Sequence, residues 1–117
     1  GVWKYRQMAT SANGVAHPYV DIAHRAALMY SFAALVLAAL AQFSDWPTAV
    51  DVIAVLTVLV FFVGAIVSYM VHGFLADTDN QFVHPVRGTH VFMVLLIVGE
   101  LGGTAVLVAG FVRAQFF

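Results

Sequence analysis

The sequence predicts an all-α polytopic membrane protein, a small up-and-down bundle with three transmembrane helices in this chain. Hydrophobic residues make up 62% of it and charged residues 9%, which leaves too little polar surface to cover a soluble domain of 117 residues. The apolar residues also fall in long blocks. Residues 26–44 and 52–76 carry no formal charge, and 91–112 is interrupted only by Glu100. Each block has the roughly 20 residues that cross about 30 Å of hydrocarbon as a helix. A closed barrel would instead need at least about eight alternating strands.

Residues 1–17 read as an interfacial segment preceding a bundle over 18–117. Trp3 and Tyr5 stand beside Lys4 and Arg6, the mixture of amphipathic rings and cations found at headgroup level. The chain opens on Gly1 rather than Met, so a fourth helix upstream stays open. His17-Pro18 starts the first helix, because proline suits the first helical turn and disfavours helix at the residue before it. That helix is predicted over 18–42, ending in QFSDWP with Trp46 as an interfacial anchor. The second is predicted over 48–75 and the third over 86–113. The short connections make consecutive helices antiparallel neighbours.

Several function classes fall away at once. A net charge of -1 with five scattered basic residues gives no nucleic-acid footprint. Without cysteine there are no disulfides, thiolate metal sites or iron–sulfur clusters. Lys4, Arg6, Arg25 and Arg87 share one side of a three-span topology and Arg113 holds the other. The positive-inside rule then places the N-terminal segment and the 77–88 loop in the cytoplasm, in keeping with a bacterial inner membrane.

The histidines are the main chemical signal. His17, His24, His72, His84 and His90 all fall at helix ends on that same side, together with Asp21, Asp77 and Asp79. At 100° per residue, His24 shares a stripe with Ser31, Leu35, Ala38 and Gln42. His72 shares one with Thr57, Phe61, Gly64 and Ser68, with Tyr69 at its edge. Small and hydroxyl residues favour close helix contact in membranes, so both stripes are expected to point inward. Neutral imidazole ligates haem, iron, copper and zinc, which makes His24, His72 and His90 candidate metal ligands. The plainer reading is histidine at an interface with its tip in water.

Glu100 lies near the bilayer midplane, where a carboxylate is expected to be neutral or paired. It reads equally as a protonated packing group or as a proton- or substrate-handling residue. Gly99 and Gly103 form a helix-packing motif that also suits a subunit contact. Asp77-Thr78-Asp79-Asn80 is expected to satisfy its own turn, since such side chains bond local backbone.

Ala23-His24 at a helix start, Tyr69 in the aromatic end of the next helix, and Asn80-Gln81-Phe82 before the last one give an order that resembles the styrene oxide isomerase family. The similarity spans roughly residues 20–113. The resemblance implies a trimer holding haem b between subunits, with His24 on the iron and a Lewis-acid reaction on an epoxide oxygen. It also implies Tyr69 near the substrate, and Met29 or Tyr30 where the family has an asparagine. This chain departs from the family in that amide, in having three predicted helices rather than four, and in its acidic loop.

Two functions follow. One is a haem b or other metal protein of isomerase type, with His24 as ligand, His72 and Tyr30 lining the cofactor site, and Tyr69 and Glu100 acting on the substrate. The other is a non-catalytic accessory subunit of a larger membrane complex.

Overall fold

A computed structural model describes residues 1–117. It is all-helical, in the order α1 (Val2–Thr10), α2 (Pro18–Gln42), α3 (Thr48–Leu75) and α4 (Thr89–Phe116). The last three are long and apolar enough to cross a membrane. The molecule is 58 Å long, and α3 packs along both α2 and α4.

The bounds of α2 and α3 agree with the sequence reading. Pro18 stands at the first helical position of α2, preceded by His17, whose ring accepts a hydrogen bond from Tyr19 N–H. α4 starts three residues later than predicted. Gly88 takes a left-handed conformation, φ 93°, so 86–88 turn before the helix begins. The N-terminal segment contains a nine-residue helix that the sequence reading left unassigned. α1 lies against the histidine end of the bundle, where Gln7 Oε1 accepts from His17 N–H at 2.9 Å and Lys4 pairs with Asp21.

The core is thin. Leu37, Ala54, Val58 and Leu107 form its buried centre, and the most apolar windows of the three spans are only 11%, 22% and 6% buried. In water that surface would aggregate; in hydrocarbon it is the lipid-facing exterior. Close approach comes from glycine. Gly99 lies under Phe61, Gly103 against Val58 and the Ala54 carbonyl, and Gly110 against Ser44 and Trp46. The Gly99–Gly103 motif therefore packs within the chain, between α3 and α4.

The stripe expected to turn inward on α2 does not. Leu35 is 68% exposed, and the buried line is Tyr19, Val20, Ala23 and Leu37. The hydroxyls that suggested the other face bond their own helix instead: Ser31 donates to Leu28 O and Thr57 to Ile53 O. They need no inter-helix partner. The corresponding α3 stripe does face a neighbour, with Phe61 and Gly64 set against α4.

At the far end the QFSDWP connection is stitched to α4. Trp46 Nε1 donates to Val106 O at 2.8 Å, Asp45 N–H donates to Gly110 O, and Arg113 pairs with Asp45 at 2.9 Å.

Candidate functional site

The structure sorts the predicted site residues into three places around Tyr19, which is buried near the start of α2. Its ring stacks on Tyr69 at 6.0 Å and tilts beside His72 at 5.2 Å. Its hydroxyl accepts from Gln81 N–H at 2.7 Å, so this one side chain ties α2 to α3 and to the loop.

The first place is the loop. His72 Nδ1 lies 2.9 Å from Asp77 Oδ1, and His17 Nε2 lies 3.3 Å from Asp79 Oδ1. The turn itself is made by Thr78 and Asn80: Asn80 N–H donates to Thr78 Oγ1, and Phe82 N–H donates to Asn80 Oδ1. Asp77 shares the expected turn role, since its carboxylate also meets the backbone N–H groups of Asp77 and Thr78. Both aspartates fasten the loop to histidines as well, on α3 and at the α2 cap. Sequence reasoning missed Tyr19, Gln81 and these His–Asp pairs. Their one local signal was the alternation of Asp with turn formers.

The hydrogen bond from His72 holds the Asp77 carboxyl below its usual range. A carboxylate with a depressed folded pKa stabilises the loop fully above its ordinary value of about 3.9. That contribution disappears as pH falls through the lowered value. Protection of the Gln81 and Phe82 amides, relative to their intrinsic exchange rates, should therefore fall below about pH 4. In Asp77→Asn exchange should already be faster at neutral pH and should lose this acid-dependent step. An unchanged acid profile in that variant would remove Asp77 from the latch.

The second place is a crevice of about 240 Å³ lined by Ile22, Arg25, Ala26, Met29, Tyr30 and Tyr69. Tyr30 is fixed by stacking on Phe62 at 4.1 Å. Glu100 on α4 lies within electrostatic reach of both tyrosines, roughly 16 Å along its helix from the first residue. Its Oε1 is buried without a hydrogen-bond partner. The two tyrosines share this crevice with Arg25, so it lies toward the histidine end of the bundle, and neither tyrosine hydroxyl is spent on another group.

The third place holds His24, half-buried in a crevice of about 160 Å³ with Lys4, Val20, Ala27, Ile66 and Met70. His17 and His72 are each held by an aspartate, whereas the His24 imidazole makes no hydrogen bond. It lies on the opposite flank of α2 from the Tyr30–Tyr69 crevice. His90 is exposed, its ring 6.1 Å from that of Phe82. His24, His72 and His90 are therefore not brought together, and no three His, Asp or Glu side chains form a group able to hold a metal ion.

No protein family, characterised protein or solved structure matches the chain. The fold and site define an integral membrane helical bundle with a polar cleft between its spans.

Proposed function

We propose that the protein binds haem b through His24 and acts as an isomerase of a small, apolar, epoxide-like substrate. The observation that supports this most directly is that His24 alone among the half-buried histidines of this layer has an unengaged imidazole. Its surroundings suit the group in being apolar, with walls from Val20, Ala27, Ile66 and Met70 and the Lys4–Asp21 pair at the mouth. The crevice of about 160 Å³ is too small for a whole macrocycle, so His24 would hold the group only with a second copy completing the site.

When bound, haem iron supplies a Lewis acid for a substrate oxygen. The chain's own residues do the rest. Tyr69 and Tyr30 present hydroxyls that orient the oxygen, Glu100 offers a carboxyl within electrostatic reach of both, and the apolar walls keep water out. His24 and this cleft lie on opposite flanks of α2, so within one chain they do not meet. A closed ring of copies joined head to tail sets the His24 flank of one against the cleft of the next, in keeping with a trimer. A non-haem metal at His24 would likewise need ligands from another copy.

An absorption spectrum of the detergent-purified protein from haem-replete cells tests this. A Soret band is expected, reduced at least about tenfold in His24→Ala, the scale of losing a metal's own ligand or its support. Tyr69→Phe should keep the band and lose turnover. A colourless preparation, or a band indifferent to His24→Ala, would sink the proposal.

One observation favours the accessory-subunit reading. Phe82, Val83 and Val86 are 48%, 62% and 65% exposed on the connection outside the spans, where a partner subunit would cover them. Stoichiometric co-purification of a partner with a colourless protein is the outcome that reading expects. The distribution of Lys4, Arg6, Arg25 and Arg87 supports a cytoplasmic position for this end in either case.

A further inference from the structure

We infer that the groove between α3, α4 and the loop is a binding site for an anionic phospholipid, its phosphodiester at Arg87 and the α4 N-terminus and an acyl chain along Gly64 and Phe92. This does not depend on the haem reading. The groove measures about 490 Å³ and is distinct from both crevices described above.

The strongest pointer is Gln81. It is only 7% exposed and lines the groove. Its backbone N–H is spent on Tyr19, yet its side-chain amide makes no hydrogen bond. The amide is not sealed in the interior but opens on the groove wall, where an entering polar group can bond it. Ser68 adds a hydroxyl on the same wall that, unlike those of Ser31 and Thr57, is not spent on its own helix.

Charge then selects the ligand. Lys4, Arg25 and Arg113 each have a carboxylate, whereas Arg87 has none and lines the groove. Beside it α4 begins at Gly88 with no side-chain cap. That leaves the His90 and Val91 amides of a 28-residue helix open to an anion, the Thr89 N–H being spent on Val86 O. The one carboxylate in the groove, Asp77, is already held by His72. Below this polar end the walls become apolar, through Val67 and Val71 to Gly64. A side chain at Gly64 would meet the Phe92 ring at 3.3 Å, so the glycine lets that ring pack on α3 and form the apolar floor. A polar anionic end at the interface above an apolar floor is the shape of a phospholipid rather than of a free anion.

Native mass spectrometry of the full chain in detergent is the test, with phosphatidylglycerol and phosphatidylcholine of identical acyl chains. Phosphatidylglycerol should be retained in preference. Arg87→Gln should lower that preference about fivefold, the worth of one interfacial arginine. Ser68→Phe, which fills the groove without changing charge, should abolish retention, while Arg25→Gln should leave it as it is. Equal retention of the two lipids would overturn the assignment. So would an equal effect of Arg25→Gln and Arg87→Gln, which would mark a general surface attraction. Displacement of the lipid by millimolar inorganic phosphate would show an anion site only and overturn it as well.

Discussion

Gly103→Ala is expected to destabilise the bundle by about 1–3 kcal/mol, the usual cost of overpacking, while Gly102→Ala next to it should be neutral or stabilising. A Cβ at Gly103 would stand 2.9 Å from the Ala54 carbonyl oxygen and 2.5 Å from a Val58 methyl. Val58 can rotate, but the carbonyl belongs to the α3 backbone, so α4 itself must shift. At Gly102 a Cβ meets nothing within 4 Å, and alanine gains up to about 1 kcal/mol in helix propensity. In a membrane this contrast is sharper than in water. Apolar surface gains little by leaving lipid, so close packing and hydrogen bonds carry helix association. Unfolding in mixed detergent should show an earlier transition for Gly103→Ala and an unchanged or later one for Gly102→Ala. Equal shifts would mean that α3 and α4 do not meet at Gly103.

Tyr19→Phe is expected to cost about 1–3 kcal/mol, the penalty of stranding a buried donor. The donor is Gln81 N–H, which gives its hydrogen bond to the Tyr19 hydroxyl at 2.7 Å and lies in a buried residue. The phenylalanine ring would keep the stacking on Tyr69 and the contact with His72. The loss should therefore be local: protease cleavage and amide exchange rise over 77–83, while the spans hold. Because the loop also forms the roof of the α3–α4 groove, retention of phosphatidylglycerol should fall with it. A variant with an unperturbed loop would show that the two His–Asp pairs suffice to hold it.

The ends of the spans were legible because polar and proline signals mark them locally. His17-Pro18 starts α2 where predicted, and Leu75 ends α3 before the run of Asp, Thr and Asn. The α4 start was misread by three residues, since Val86 is apolar enough to continue a helix and only the backbone conformation of Gly88 stops it there. The gathering of histidines and aspartates at one end was also legible, because topology alone puts them there. Their pairing was not. That Asp77 reaches His72 as well as its own turn depends on how the loop folds back, which the local sequence does not set.

The sequence by itself determined the class of this protein, its three apolar spans and the end at which its polar chemistry collects. Those follow from length, hydropathy and the order of charges, none of which needs a neighbour. Only the tertiary structure decided which way each helix faces. It put Tyr19 rather than His24 on the buried line of α2, and brought Tyr30 and Tyr69 from two helices into one crevice. In a soluble bundle the apolar stripe would have announced the inner face. Here lipid makes the outer face equally apolar, so rotation is set by glycine and alanine contacts between helices, and those exist only once the helices have met.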